Sequence, residues 1–242
     1  MKLFSKSDIG KKREENQDRV WFGMLGENAA AIVLCDGMGG ENAGSRASQM
    51  TVDFMNERLV KGFKSGLSDN SIRNLLITGV NGANSLVFRK SGEEEAFRGM
   101  GTTCIGALII DRRAYIINVG DSRVYHIFGD NIQQITKDHT YIRKLIDDGQ
   151  ITEEESYTHP ERNCITRAIG ADEYITPDYF ELDLRDDSIL LFCSDGLHSY
   201  GSDSDIAEII VNSPINKACD LLVNYALDKG GSDNISVCIA AI

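Results

Sequence analysis

The chain has only 3 prolines in its 242 residues and no Pro-, Ser- or Gly-rich stretch that would act as a linker, so nothing in it marks a domain boundary. It has no internal repeat, and residues 1–242 are expected to form one domain. No apolar run reaches about eighteen residues, so no membrane span is expected. The first residues, Met1 to Asp8, carry charge with no apolar stretch behind them, which does not fit a signal peptide. A cytoplasmic protein is expected. The chain ends at its last strand-like segment, so no fused sensor or anchor is expected. None of the six cysteines (Cys35, Cys104, Cys164, Cys193, Cys219 and Cys238) belongs to a C-x-x-C pair, and several sit inside apolar runs. Such thiols act as small, reduced hydrophobes, and neither a disulfide framework nor a structural zinc is expected. The four histidines, His126, His139, His159 and His198, show no metal-ligand spacing. A Walker-type loop and a dinucleotide fingerprint are both missing. Positive charge is short too: 25 basic against 37 acidic residues give a net charge of −12, which disfavours nucleic acid and anionic lipid as partners.

Apolar segments make up the rest of the pattern. Strand-like stretches cover residues 3–9 and 18–25, followed by an apolar run over 29–35 that ends at the glycine-rich turn Gly37-Met38-Gly39-Gly40. Ala43, Ala47, Met50, Phe54 and Leu59 recur at helical spacing, and Ile72, Leu75, Leu76, Val80, Ala83 and Val87 do the same. Residues 91–95, Ser-Gly-Glu-Glu-Glu, read as a mobile loop. Strands are expected over 103–110, 114–119, 123–128 and 131–135, with breaks short enough for antiparallel hairpins. A polar region with a short helix follows, then strands over 179–184 and 188–193. Helices over 205–211 and 216–227 flank Pro214, and a last strand covers 235–242. Strands in runs and helices in runs indicate an α+β fold.

The informative residues are aspartates placed where strands end. Asp36 precedes Gly37-Met38-Gly39-Gly40, Asp121 follows Val119-Gly120, Asp195 precedes Gly196-Leu197, and Asp233 stands with Asn234 before the final strand. Desolvating a carboxylate costs several kcal/mol unless its charge is matched. Four such positions suggest a shared cluster of hard cations, Mg²⁺ or Mn²⁺. The neighbouring glycines let backbone approach the metals and free the Gly37 carbonyl as a ligand. On spacing alone, the alternative that each Asp-Gly simply closes a turn stays open.

Read in order, the chain carries Arg13-Glu14-Glu15-Asn16-Gln17-Asp18, Asp36-Gly37-Met38-Gly39-Gly40, Met100-Gly101-Thr102-Thr103, Val119-Gly120-Asp121-Ser122-Arg123, Ser194-Asp195-Gly196-Leu197 and Asp233-Asn234. His159-Pro160-Glu161-Arg162-Asn163 and Thr166-Arg167-Ala168-Ile169-Gly170 add two more strings. Each is weakly specific alone; the ordered set is very specific and spans the chain. It resembles the type 2C metal-dependent serine/threonine protein phosphatases, in particular their compact bacterial branch. The resemblance implies a four-layer α-β-β-α sandwich, two central antiparallel sheets flanked by helix pairs. It also implies that Asp36 bridges two metals, with Asp195 and Asp233 on one and the Gly37 carbonyl on the other. Asp18 would act at the same cluster, partly through water, and Asp121 would help hold a third, weaker metal. Asp36, Asp195 and Asp233 thus become the catalytic set, and Arg13 the phosphate clamp, because a guanidinium matches phosphate oxygens in a bidentate fork.

The implied reaction is hydrolysis of phosphoserine and phosphothreonine by in-line attack of a hydroxide bridging two divalent cations, Mn²⁺ or Mg²⁺. No cysteine lies in a phosphate-cradling loop, so a thiol nucleophile is not expected. Many relatives have a histidine just past the first metal aspartate as leaving-group acid; here Met38 and Glu41 stand there, and that role has no assigned residue. Glu41 is read as capping the helix that begins there. His139 is read as structural, while His198 lies near the site. Residues 138–163 would form a flap beside the site, where substrate choice resides. Expected partners are proteins phosphorylated on Ser or Thr and, by family habit, a cognate serine/threonine kinase; the chain is expected to be a monomer. Two alternatives carry different expectations: a phosphatase-fold module that binds phosphorylated partners without hydrolysis, and a phosphatase of small phosphomonoesters.

Overall fold

In a computed structural model, which describes residues 1–40, 43–156, 159–162 and 164–242, strands and helices fall close to where alternation and helical spacing put them. The chain begins with β1 (Lys2–Asp8), β2 (Asp18–Gly26) and β3 (Ala29–Met38), then α1 (Ala43–Gly62) and α2 (Asp69–Glu93). Next come β4 (Gly101–Thr102), β5 (Cys104–Ile110), β6 (Arg113–Val119), β7 (Arg123–Phe128) and β8 (Asn131–Gln134). Two short helices, α3 (Tyr141–Asp147) and α4 (Glu153–Ser156), precede β9 (Asp178–Asp183) and β10 (Ile189–Cys193). The chain closes with α5 (Asp195–His198), α6 (Asp203–Val211), α7 (Ile215–Asp228) and β11 (Ile235–Ala241).

All strand pairs are antiparallel, in one sheet of order β1-β11-β10-β7-β8 and another of order β2-β3-β5-β6-β9, with β4 added to the end of β3. The two-residue period of a strand sends successive side chains to opposite faces, and β3 shows what that does when both faces are buried. Ala31, Val33 and Cys35 pack with α1 and α2, through Ala47, Met55, Leu76 and Val80. Ile32 and Leu34 point the other way, into a core shared with Leu190, Phe192 and Cys238 of the opposite sheet. That sheet turns Tyr125, Leu191, Val237 and Ile239 outward against Ile206, Ile210, Leu222 and Ala226 of α6 and α7. The layers are therefore helix pair, sheet, sheet, helix pair, as the resemblance implied.

Three details differ from the sequence expectation. Residues 91–93 belong to α2, and a short 3₁₀ turn covers Glu95–Phe97. An ion pair between Lys90 and Glu94 and a bond from the Gly99 N–H to Ser91 Oγ (3.0 Å) tie this polar segment down. β3 does not stop at Asp36 but runs on to Met38, changing partner on the way: Leu34 pairs with Ile105 of β5, and Gly37 with Thr102 of β4. Finally, Asp195 opens a one-turn helix, which has too few residues for periodicity to reveal. Among the described residues no helix is long and apolar enough to cross a membrane.

Phe192 is fully buried between the two sheets. Phe192→Ala should cost about 3–5 kcal/mol in urea unfolding, the usual loss for a core phenylalanine. A cost of under about 1 kcal/mol would mean that the inter-sheet layer is not the packed core described here.

Candidate active site

The register of β2 on β3 places Asp18 directly opposite Asp36. Like charges facing each other across a strand pair destabilise a sheet, and this pair lies in a desolvated place. Asp18 is 3% exposed, and burial raises its pKa from 3.8 to about 6. Burial also pushes Asp36 well above the carboxylate range, and the charges of Asp18, Asp195, Asp121 and Asp233 push it further. Asp195, at the start of α5, is raised well above its ordinary value by burial and then by Asp121, Asp233 and Asp18. Burial lifts Asp121, in the turn from β6 to β7, to about 7, with Asp138 adding to it. Five aspartates from both sheets thus act on one another at one end of the sandwich.

Hydroxyls and backbone hold them there. Ser194 Oγ donates to Asp18 Oδ2 at 2.7 Å and accepts the Ser236 N–H at 3.0 Å. The Asp36 N–H donates to Thr103 Oγ1 at 2.9 Å, and Thr103 Oγ1 lies 2.8 Å from Ser122 Oγ. Asn234 accepts the Gln17 N–H and donates to the carbonyls of Ile9 and Glu15, fastening the Arg13 loop to the Asp233 loop. Gly37 is needed for close approach: a Cβ there would lie 2.3 Å from the Gly44 carbonyl oxygen in α1. Thr103, Ser122 and Ser194 escape a reading by residue type, because a lone hydroxyl carries no spacing signal. All three fall in the family-like strings, which was the one available hint.

Arg13 stands over the cluster. Its Nη2 donates to Asp233 Oδ2 at 2.7 Å, and Asp195 and Asp36 help raise its pKa. The other Asp233 oxygen accepts the Asn234 N–H at 2.8 Å. The residues expected to clamp phosphate and to ligate metal are therefore brought together, and here they pair with each other. Glu41, read above as a helix cap, and Asn163, at the end of the flap, lie outside the described residues. His139 is buried, and burial lowers its pKa. His198 sits beside the site; burial and then Arg123 lower its pKa to about 3, so the ring is neutral and its Nε2–H faces the Asp121 carbonyl oxygen at 3.0 Å.

A divalent cation pair fits these residues. Asp18 Oδ1, Asp121 Oδ1 and Asp195 Oδ1 are buried with no hydrogen-bond partner, and orphaned carboxylate oxygens of this kind demand a cation or a proton. Among the described residues no three His, Cys, Asp or Glu side chains form a closed metal cage. Mg²⁺-type sites do not need one, since such ions keep several waters and take one or two carboxylates. Beyond the cluster, the flap helices α3 and α4 wall a cleft of about 1060 Å³ against Tyr200 to Ser204, with Arg123 and His198 at its floor.

Known proteins share this architecture. Residues 10–213 match the family model described as Protein phosphatase 2C. The chain is 35% identical over 243 residues to Protein phosphatase PhpP of Streptococcus pneumoniae, covering 100% of this chain and 98% of that protein. The crystal structure of serine/threonine phosphatase Stp1 from Staphylococcus aureus matches with a TM-score of 0.91 and 37% identity, over 99% of this chain and 94% of that one. The catalytic domain of the serine/threonine protein phosphatase PstP, solved with 2 manganese ions, matches with a TM-score of 0.86 and 32% identity, over 99% and 97% of the two chains. Sequence and fold agree along nearly the whole length, and the chain belongs to the protein phosphatase 2C family.

Proposed function

We propose that residues 1–242 form one catalytic domain that removes phosphate from phosphoserine and phosphothreonine in proteins, using two divalent cations, Mn²⁺ or Mg²⁺. The observation that carries this reading is the directly opposed pair of buried Asp18 and half-buried Asp36, a costly arrangement for which a shared cation is the natural counterweight. The relatives named phosphatase and the PstP domain solved with manganese support it. Asp36, Asp195, Asp233 and the Gly37 carbonyl would hold the pair, Asp18 would act beside them, and Asp121 would serve a third, weaker site. The chemistry such cations supply when bound is in-line attack on phosphorus by an activated water and charge neutralisation of the dianion.

The chain's own residues do the rest. Arg13 binds the phosphate oxygens, exchanging its bond to Asp233 for bonds to the substrate. Ser194 Oγ fixes the orientation of the Asp18 carboxylate, and Thr103 Oγ1 anchors the backbone of Asp36 by accepting its N–H, so both residues are held before substrate arrives. The cleft beside the flap receives the polypeptide around the phosphorylated residue.

Phosphate release from a phosphothreonine peptide should require Mn²⁺ or Mg²⁺ and stop with a chelator. Asp36→Asn should lower it by more than about 100-fold, beyond the loss of roughly 10–100-fold that follows removal of an outer partner of a metal ligand. Folded protein that binds a phosphopeptide yet releases no phosphate with any metal would favour the binding-module alternative. Arg13→Ala should reduce kcat/KM by roughly 10- to 100-fold, the worth of a charge-assisted bond, with Arg13→Lys intermediate. Equal activity of all three forms would remove Arg13 from the phosphate site.

The raised carboxylates also set a pH dependence. Folded Asp18 and Asp121, at about 6 and 7, hold protons that unfolded aspartates near 3.8 have lost. Their stabilising contribution is complete below about pH 3.8 and is lost as pH rises through 6 and 7, where the ionised cluster repels itself. A cation relieves that repulsion and competes with those protons. The rise in Tm on adding a fixed Mn²⁺ concentration should therefore be larger at pH 8 than at pH 5.5. A rise independent of pH would mean that these carboxylates are not the ligands.

A further inference from the structure

His198 has no part in the chemistry derived above, yet it joins two of the aspartates. α5 is a single turn, so His198 lies three residues from Asp195 on the same side of the helix. Its Nε2–H donates to the carbonyl oxygen of Asp121 at 3.0 Å. Asp121 belongs to the turn that carries the chain from β6 in one sheet to β7 in the other. The preceding Gly120 has φ +105°, which a side chain rarely adopts, and a Cβ there would lie 2.6 Å from Thr103 Cγ2. His139 grips Gly120 at two points: its N–H donates to the Gly120 carbonyl at 3.0 Å, and its Nδ1 accepts the Gly120 N–H at 3.1 Å. Three backbone polar groups of the turn are thus held, two of Gly120 by His139 and the Asp121 carbonyl by His198. Asp121 and Asp195 each carry a buried Oδ1 with no partner, and among neighbouring charges Asp121 acts most strongly on Asp195.

We propose that His198 is a positioning residue whose ring N–H holds the Asp121 turn against α5, so that the unpartnered oxygens of Asp121 and Asp195 converge on one divalent cation. This rests on the metal-dependent reading above. A side chain that only filled space here would be replaceable by any residue of similar size. The positioning role instead requires a donor at the reach of Nε2. Glutamine supplies one at nearly that reach, asparagine is one methylene shorter, and leucine supplies volume without a donor.

The test is calorimetric titration of the full chain with Mn²⁺ alone, for the wild type and for His198→Gln, His198→Asn and His198→Leu. The weakest Mn²⁺ step should weaken by about tenfold or more in the Asn and Leu forms, the usual effect of losing an outer partner of a metal ligand. The tighter steps should stay unchanged, and the Gln form should recover the weak step. Should the Leu form fail to fold, the Asn and Gln pair decides the matter through side-chain length. Wild-type isotherms for the Asn form, a Gln form no better than Asn, or a loss spread evenly over every step would each overturn the proposal while leaving the phosphatase reading intact. A wild type that binds no Mn²⁺ would overturn the metal reading, and this inference with it.

Discussion

The structure is organised around a desolvated excess of negative charge. Asp18 and Asp36 face each other across two strands, and Asp195, Asp121 and Asp233 act on them from the other sheet and from the turn between the sheets. In a medium less polarisable than water, like charges at short range cannot all ionise without compensation, so their pKa values climb. Among the described residues compensation by protein cations is slight: Arg13 hydrogen-bonds Asp233 and acts on Asp195 and Asp36 through its charge, and Arg123 is committed to Asp138 at 2.7 Å. With three buried carboxylate oxygens unpartnered among the described residues, the cluster demands a cation or a proton. The hydroxyl supports at Ser194, Thr103 and Ser122, and the bare backbone at Gly37, are devices for holding that arrangement rigid.

The sandwich explains why the charges meet at one end. β1 lies in one sheet and β2 in the other, and the crossing between them carries Arg13 and leads into Asp18. The crossing from β6 to β7 carries Asp121. Asp195 lies two residues past the end of β10 and Asp233 two residues before the start of β11, strands that are hydrogen-bonded neighbours. Asp36 lies where β3 leaves β5 for β4. Each carboxylate is therefore placed by a strand end or a sheet-to-sheet turn, where backbone is locally free to bend while the apolar strand behind it is fixed by burial on both faces.

Much of this was legible in the sequence, for identifiable reasons. Alternation and helical spacing depend on neighbours within one element, so β5, β6, α1 and α7 could be read from residues a few positions apart. Asp-Gly after an apolar run marked Asp36 and Asp195 by the same local logic. The opposition of Asp18 and Asp36 was not legible, because it depends on the register of two strands and no single residue fixes a register. The layering was hidden for a related reason: a strand buried on both faces, such as Tyr115 to Val119, does not say which neighbour covers which face, and the order of layers came from the resemblance. His198 escaped because its partner is a backbone carbonyl, which has no signature in the sequence. The helical character of residues 91–93 escaped because Gly92 and three glutamates suit a loop by composition, while an ion pair and a hydrogen bond from Gly99 tie the segment down.

His139 shows how the site and the flap can be built separately. Its carbonyl accepts the Thr166 N–H at 2.7 Å, and Thr140 bridges Ile165, so the flap is pinched at its neck by short antiparallel contacts. Its ring faces the other way, to Gly120 and to Asp178 Oδ2 at 3.1 Å, with Arg167 on the same carboxylate at 2.9 Å. Beyond the neck the flap buries Ile142 and Leu145 of α3 and carries ion pairs such as Arg143 with Asp147 and Glu153, and surface pairs of that kind contribute little to stability. The buried ring of His139, bonded to Gly120 on one side and to Asp178 and Arg167 on the other, stands at the boundary between the carboxylate cluster and the flap.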